Sequence, residues 1–330
     1  MTHAADRYQK MTYRRCGRSG LLLPAVSLGL WQALGSYRGQ DIAREVCLRA
    51  FDLGVTHFDL ANNYGNPAGA SESQFGAILR ELPRQEVVIA TKAGYRMWPG
   101  PYGDGGSRKY LIESCEASLR RLGVDHVDIF YSHRVDAQTP LEETIGALDQ
   151  LVRQGKALYA GVSNYPDPKL TQTLDLVESR GWAPITIHQP RLNLLDRRAV
   201  TEVLPTTAAR GVGVIAFSPL EQGILAGRYL NGIPPDSRVA VGLGNGALTQ
   251  ERLTALESKT AAARRLKTIA DRRGQSLAQL SLAWLLNDQR ITSVVIGASS
   301  MGQLEDNLGC LSSPPFSAEE LAEIDRACAG

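Results

Sequence analysis

Short β-branched runs alternate along the chain with segments in which apolar residues recur every third or fourth position. The runs predict eight strands, at residues 26–30, 56–60, 87–91, 127–132, 157–162, 185–189, 212–217 and 293–297. The segments between them predict helices. Ile42, Val46, Ala50 and Leu53 share one helical face, with Gly54 as the stop. Phe75, Ile78, Leu79 and Leu82 share another, opened by a capping box from Ser71 to Gln74. Leu111, Cys115, Ser118 and Leu122 follow, ended by Gly123, and then Leu141, Ile145, Leu148 and Val152, ended by Gly155. Nearly apolar strands, each followed by a helix, define a parallel sheet covered by helices. At 330 residues a closed TIM (β/α)8 barrel is the simplest solution, one α/β domain over residues 1–330.

Three segments interrupt this rhythm. YRRCGRSGLLLPAV, ahead of the first run, predicts a β-hairpin turning between Gly17 and Gly20 and covering the barrel's N-terminal floor. Residues 94–110 and 229–247 are rich in glycine and proline and predict long loops after the third and seventh strands. Such loops fall on the C-terminal face of a barrel, where active sites are built. Two glycine patterns imitate a dinucleotide-binding turn. GVGVIA, at 211–216, enters a strand instead of leaving one, and no strand leads into GLGNGA at 242–247. Neither has the required order of strand, turn and helix.

Composition changes the picture by exclusion. The net charge of +2 provides no basic stripe for nucleic acid and no acidic tail. Cys16, Cys47, Cys115, Cys310 and Cys328 are scattered and form no CxxC pair, against both a disulfide framework and a zinc knuckle. No apolar run reaches the roughly 18 residues of a membrane span, and MTHAADRYQK lacks the apolar stretch of a signal peptide. The expectation is a cytoplasmic protein with no nucleic-acid or membrane partner and no metal ion.

Candidate chemistry sits where the apolar runs end. Asp59 lies at the end of THFDL, Lys92 closes VVIATK, His133 closes VDIFYSH, and Tyr64 lies just beyond Asp59 in ANNYG. Strand ends on one face of a barrel converge, so these four residues meet at one rim. A free tyrosine, with a pKa of about 10, is a weak acid near neutrality. A lysine ammonium beside it favours the phenolate and lowers that pKa. Asp59 pairs with Lys92 and offsets its desolvation. His133 can hold a carbonyl oxygen. Each residue alone has a plain structural reading, as a cap, a core histidine or a surface lysine. The set, at matching strand ends, points to protonation of an alkoxide as hydride arrives.

These regions resemble a known superfamily. FDLANNYG, IATKAGY and DIFYSHR are similar to the three regions that hold the Asp, Tyr, Lys and His of the aldo-keto reductases, and the likeness runs over residues 12–325. MWPGPYGDGGSRKYL, GKALYAGVSNY and YLNGIPPDSR resemble the bacterial L-glyceraldehyde 3-phosphate reductases first and the potassium-channel β subunits next. The resemblance implies catalytic roles for Asp59, Tyr64, Lys92 and His133. In the channel subunits it implies asparagine in place of His133, so the histidine favours turnover. It further implies NADP(H) lying extended over the barrel mouth without a Rossmann domain. By this likeness Trp31 and Tyr37 flank the cofactor, Ser163, Asn164 and Gln189 grip the nicotinamide carboxamide, and Asp59 is among the cofactor-binding residues. Phe217, Ser218, Pro219, Leu220, Gln222 and Gly223 match the loop along the pyrophosphate, with Gly223 permitting close backbone approach. Arg228 and Arg238 match basic positions that favour the 2′-phosphate. Gly297, Ser299, Gln303, Asp306 and Asn307 match the adenosine-phosphate end, where the family often has Glu at the place of Asp306. A capping box from Ser300 to Gln303, after the strand ending at Gly297, independently predicts a helix N-terminus at the rim, ready for a phosphate.

Trp31, Tyr37, Tyr64, Tyr95, Trp98 and Tyr102 are candidates for an aromatic-walled substrate pocket, with loop packing as the alternative. Arg96 and Arg134 are candidates to attract a substrate phosphate, with surface ion pairing as the alternative. The predicted reaction is NADPH-dependent reduction of a small aldehyde, such as L-glyceraldehyde 3-phosphate or methylglyoxal, with His133 at the carbonyl oxygen. Two rivals stand beside it. One is an NADP-sensing regulatory subunit without turnover. The other is a metal-dependent barrel hydrolase using His57 and Asp59, which only five histidines and a lysine at a ligand position argue against. The resemblance also implies a homo-oligomer, a tetramer or octamer.

Overall fold

The computed structural model describes residues 3–31, 34, 39–235, 237, 239–240 and 249–329. Two short strands, β1 (Tyr13–Arg15) and β2 (Leu22–Pro24), pair antiparallel. Eight more close a parallel barrel: β3 (Val26–Gly29), β4 (His57–Asp59), β5 (Val88–Ala93), β6 (Val127–Ser132), β7 (Ala157–Ser163), β8 (Ile185–Gln189), β9 (Gly213–Ala216) and β10 (Ser293–Ile296). Sequence neighbours pair in order, and β10 closes onto both β3 and β9. Every predicted run becomes one barrel strand, with ends shifted by a residue or two.

Two cores explain the closure. Helices pack on the outward strand faces, burying residues such as Val26, Phe58, Ile89, Phe130 and Leu148 in one large cluster. The inward faces contribute Ala90, Ile129, Tyr131, Ile187 and Ile215 to a second cluster inside the barrel. The hairpin plugs its lower end: Cys16, Leu21 and Leu23 join that inner cluster. The Arg18 amide bonds the Gly211 carbonyl at 2.9 Å, which fixes the hairpin turn at the foot of β9. One inward position is a glycine for a visible reason. A Cβ on Gly161 would lie 2.5 Å from the Tyr131 ring and 2.9 Å from Ile187, so its absence lets Tyr131 fill the barrel.

The helices form where the periodicity places them, with corrections. The first, α1 (Gln40–Asp52), buries Ala43, Val46, Cys47, Ala50 and Phe51, whereas Ile42 is 47% exposed. The helix is rotated so that the large Phe51 ring, not Ile42, enters the core. The predicted capping box at Ser71 is absent. The N-cap of α2 (Ala70–Leu79) is Gly69, in the left-handed region at φ 92°, and Ser71 is buried one residue inside the helix. The helix α3 (Arg108–Leu122) begins within the stretch predicted as loop, because the Ser107 hydroxyl accepts the Tyr110 amide and caps it. It ends at Gly123, as expected, and α4 (Leu141–Arg153) ends just before Gly155. A full capping box does occur, unforeseen, at Ser276 and Gln279, where helix Leu277–Asn287 opens. Gly211–Ala216 enters strand β9, so GVGVIA is no nucleotide turn. The second imitation, at 242–247, lies outside the described residues.

Candidate active site

The upper rim is assembled from strand ends. Asp59 is the last residue of β4, Lys92 the penultimate residue of β5, and His133 follows β6 directly. Lys92 is fully buried, and its Nζ donates to Asp59 Oδ2 at 2.6 Å and to the Leu60 carbonyl at 2.7 Å. Gln189, at the end of β8, donates from Nε2 to Asp59 Oδ1 at 3.0 Å. The Asp59 carboxylate is therefore satisfied on both oxygens. Tyr64 rides on a turn whose carbonyl accepts the amides of Gly69 (3.1 Å) and Ser71 (3.2 Å), at the opening of α2. Its ring centroid lies 5.3 Å from Lys92 Nζ and 5.9 Å from the His133 ring. His133 in turn meets Tyr95 edge to face at 4.7 Å. The four residues predicted to meet do share one site.

The electrostatics differ from expectation in one respect. Burial, then the charges of Asp59 and Tyr95, push the Tyr64 hydroxyl well above its ordinary value of 10. The lysine, whose Nζ donates to Asp59 and to the Leu60 carbonyl, does not reverse that rise. Burial also pushes Lys92 down, against the upward pull of Asp59. His133 is held well below 6.5 by burial and by the charges of Lys92 and Arg134. At neutral pH the rim therefore presents a neutral phenol and a neutral imidazole. The His133 Nδ1 atom is buried and makes no hydrogen bond among the described residues.

Next to this group, Asn164 takes left-handed backbone (φ 56°) just past β7. Its Nδ2 donates to the His133 carbonyl and to Ser163 Oγ, both at 3.1 Å, and Ser163 donates to the Gln189 carbonyl at 2.8 Å. Ser163, Asn164 and Gln189 thus form one connected shelf beside Asp59. After β9, Phe217, Ser218, Pro219, Leu220, Gln222 and Gly223 run along a turn with left-handed backbone at Ser218 (φ 52°) and Gln222 (φ 54°). Gly223 lies at φ 98°, and an added Cβ would meet nothing nearer than 3.5 Å. Backbone conformation, not crowding within the chain, calls for the glycine there.

At the far end of the rim, Ser300 caps helix Met301–Leu308, accepting the Gln303 amide. The return half of the predicted box goes elsewhere: Gln303 Oε1 accepts from the amide and hydroxyl of Ser299, at 2.8 and 2.9 Å. Gly297 is exposed with open space above its Cα. Asn307 is 1% exposed, and its Nδ2 has no partner among the described residues. The Asp306 carboxylate accepts from Ser276 Oγ and Gln279 Nε2, both at 3.0 Å, and so serves the neighbouring helix N-terminus. Trp31 is 46% exposed at the mouth, with its ring 6.3 Å from Tyr64. Arg228 is exposed, and Tyr37 and Arg238 lie outside the described residues.

The loop after β5 displays Tyr95, Trp98 and Tyr102, all exposed. Trp98 also packs against the buried Tyr110, at 6.1 Å, so it serves loop and mouth together. Arg134 braces this loop, donating to the Gly94 carbonyl at 2.8 Å and to Asp104 at 2.7 Å while lying over the Tyr95 ring. Arg96 is exposed, with no charged partner among the described residues. Several supports escaped sequence reasoning. Tyr110 accepts from Asn62 and donates to the Tyr95 carbonyl, joining the loop to the turn of Tyr64. Glu72 is buried behind β5, accepting from Thr91 and from Arg121. Glu221 is buried among Arg191, Asn193 and Lys259. Lone charged residues in polar segments carry no local signal of burial. No three His, Cys, Asp or Glu side chains cluster as metal ligands among the described residues.

A closed (β/α)8 barrel with Asp, Tyr, Lys and His gathered at its C-terminal rim defines a class, and the chain belongs to the aldo/keto reductase family, whose model matches residues 25–329. The chain is an oxidoreductase of the carbonyl-reducing kind that uses a nicotinamide cofactor. It is 52% identical to the L-glyceraldehyde 3-phosphate reductase of Escherichia coli (strain K12) over 327 residues, covering 97% of this chain and 93% of that one. It is 36% identical to a probable voltage-gated potassium channel subunit beta of Arabidopsis thaliana, covering 93% of each chain. A Schizosaccharomyces pombe protein described as a putative subunit of the same kind is 35% identical, covering 93% of this chain and 91% of that one. No described helix is long and apolar enough to cross a membrane.

Proposed function

We propose that the chain reduces small aldehydes to alcohols with NADPH, with Tyr64 as proton donor. The observation that carries this reading is the buried Lys92–Asp59 pair set beside Tyr64 and His133 at one rim. The surrounding groups suit a nicotinamide cofactor. Ser163, Asn164 and Gln189 offer amide and hydroxyl groups for its carboxamide, and the orphaned Asn307 amide suits an acceptor at the adenosine end. Trp31 and the 217–223 turn suit the span between them, and Arg228 and Arg238 favour a 2′-phosphate.

When bound, NADPH supplies the hydride. The protein's share is to place and polarise the carbonyl. His133, neutral, donates one ring N–H to the carbonyl oxygen. Tyr64 gives its hydroxyl proton to that oxygen as the negative charge develops. A phenol held above 10 remains loaded with its proton throughout the neutral range. Lys92 lends positive charge to the phenolate formed in that step, and Asp59 holds Lys92 in place.

The name of the 52% identical relative makes L-glyceraldehyde 3-phosphate the first substrate to test, with methylglyoxal as the unphosphorylated comparison. Arg96, exposed and uncommitted, is the better phosphate partner, since Arg134 is engaged in bracing the loop. Trp31, Tyr95 and Trp98 form the remaining wall. The deciding measurement is NADPH oxidation with both aldehydes. Tight NADPH binding with no turnover would favour a regulatory subunit instead. We further propose one reductase domain throughout, acting in the cytoplasm as a homotetramer or homo-octamer, which light scattering on the purified chain tests.

A further inference from the structure

Outside the rim group, a buried charge cluster lies under the turn that follows β9. Glu221 is 3% exposed, and its carboxylate accepts four hydrogen bonds. Arg191 Nη2 reaches both oxygens, at 2.5 and 2.6 Å. Asn193 Nδ2 reaches Oε2 at 2.7 Å, and Lys259 Nζ reaches Oε1 at 2.6 Å. The same Asn193 amide donates to the Ser218 carbonyl at 3.0 Å, so one side chain grips the turn at two points.

The turn needs such a grip. Ser218, Glu221 and Gln222 are all left-handed, at φ 52°, 45° and 54°. Each such non-glycine residue is strained and persists only where its surroundings enforce it. The Glu221 carboxylate and the Asn193 amide supply that enforcement. Burial pushes the Glu221 carboxyl up, but Lys259 and Arg191 outweigh it and hold it below the usual range, so it stays charged. Asp196 also pairs with Arg191 and Arg198. Three cations against two carboxylates leave one net positive charge beside the turn. Arg191 and Lys259 remain about one-third exposed, at 32% and 36%, so this is no sealed structural ion cluster.

We propose that Glu221 is the positioning residue of the cofactor-phosphate turn, holding residues 218–223 in the form that receives NADPH, and that Lys259 latches helix Gln250–Arg272 onto that turn. The inference rests on the NADPH reading above. It predicts an effect on cofactor affinity separate from chemistry, because neither side chain touches the reacting atoms.

The test is fluorescence titration of NADPH against the full-length wild type, Glu221→Gln and Lys259→Met, with kcat measured at saturating NADPH. Glu221→Gln should weaken NADPH binding about tenfold, the scale of losing one charge-assisted grip, and leave kcat within about twofold. Lys259→Met keeps Arg191 and Asn193 on Glu221. It should fold even if Glu221→Gln does not, and should weaken binding about threefold. Wild-type affinity in both variants, or a loss of kcat with affinity unchanged, overturns the clasp alone. A wild-type chain that binds no NADPH overturns the reductase reading together with it.

Discussion

Lys92 and Tyr64 show how burial redirects a charge. Both were legible as candidates, because a lysine closing an apolar run is conspicuous. The partner and the sign of the pKa shift were not. Lys92 spends two donors on Asp59 and Leu60, while burial, then the charges of Asp59 and Tyr95, raises Tyr64 where lowering was expected. Tyr64→Phe should retain NADPH binding and lose about 10²–10⁴ in kcat, as followed by NADPH absorbance. Because the hydroxyl lies above 10, single-turnover reduction by the wild type should show no loss from Tyr64 deprotonation as the pH rises to 10. A basic limb centred near 8 that Tyr64→Phe abolishes would contradict this. Lys92→Met leaves the Asp59 carboxylate buried with only Gln189. Urea denaturation should show a cost of about 3–5 kcal/mol, and adding Asp59→Asn should recover much of it.

At the scale of elements, strands were read well and helix openings poorly. A parallel strand buried on both faces is a continuous apolar run, so its signal is local. A capping box is a short pattern that fits many places. Ser71 and Gln74 match it, yet the left-handed Gly69 opens that helix, while Ser276 and Gln279 make the box that does form. Ser276→Ala should therefore cost about 1 kcal/mol in thermal unfolding, and Ser71→Ala should not show a cap's loss. Packing between elements was equally hidden. Gly161 reads as a weak strand residue, but its missing side chain admits Tyr131, whose ring lies 5.6 Å from Lys92 Nζ. Gly161→Ala should cost about 1–3 kcal/mol and reduce kcat along with stability, because the displaced ring lies under the lysine. Unchanged kinetics would show that Tyr131 gives way without disturbing Lys92.

For the molecule as a whole, the closed barrel buries histidines that have no part in the chemistry. Burial is the main reason that His57 and His188 are lowered to about 4 from 6.5. Each binds its proton more weakly folded than unfolded, so its contribution to stability is full above about pH 6.5. That contribution falls as the pH drops toward 4, by about 3 kcal/mol for each histidine. Urea midpoints measured across this range should fall steadily, and less steeply in His188→Asn. The sequence by itself determined the number, order and parallel sense of the strands, and the four residues at their ends. Periodicity and strand termini are properties of neighbouring residues, so a single chain displays them. Only the tertiary structure decided that Asp59 is shared between Lys92 and Gln189, that Asp306 faces a helix cap, and that Glu221 is clasped by Arg191 and Lys259, 30 and 38 residues away. Burial and partner choice depend on everything that packs around a group, and no local window of sequence contains that.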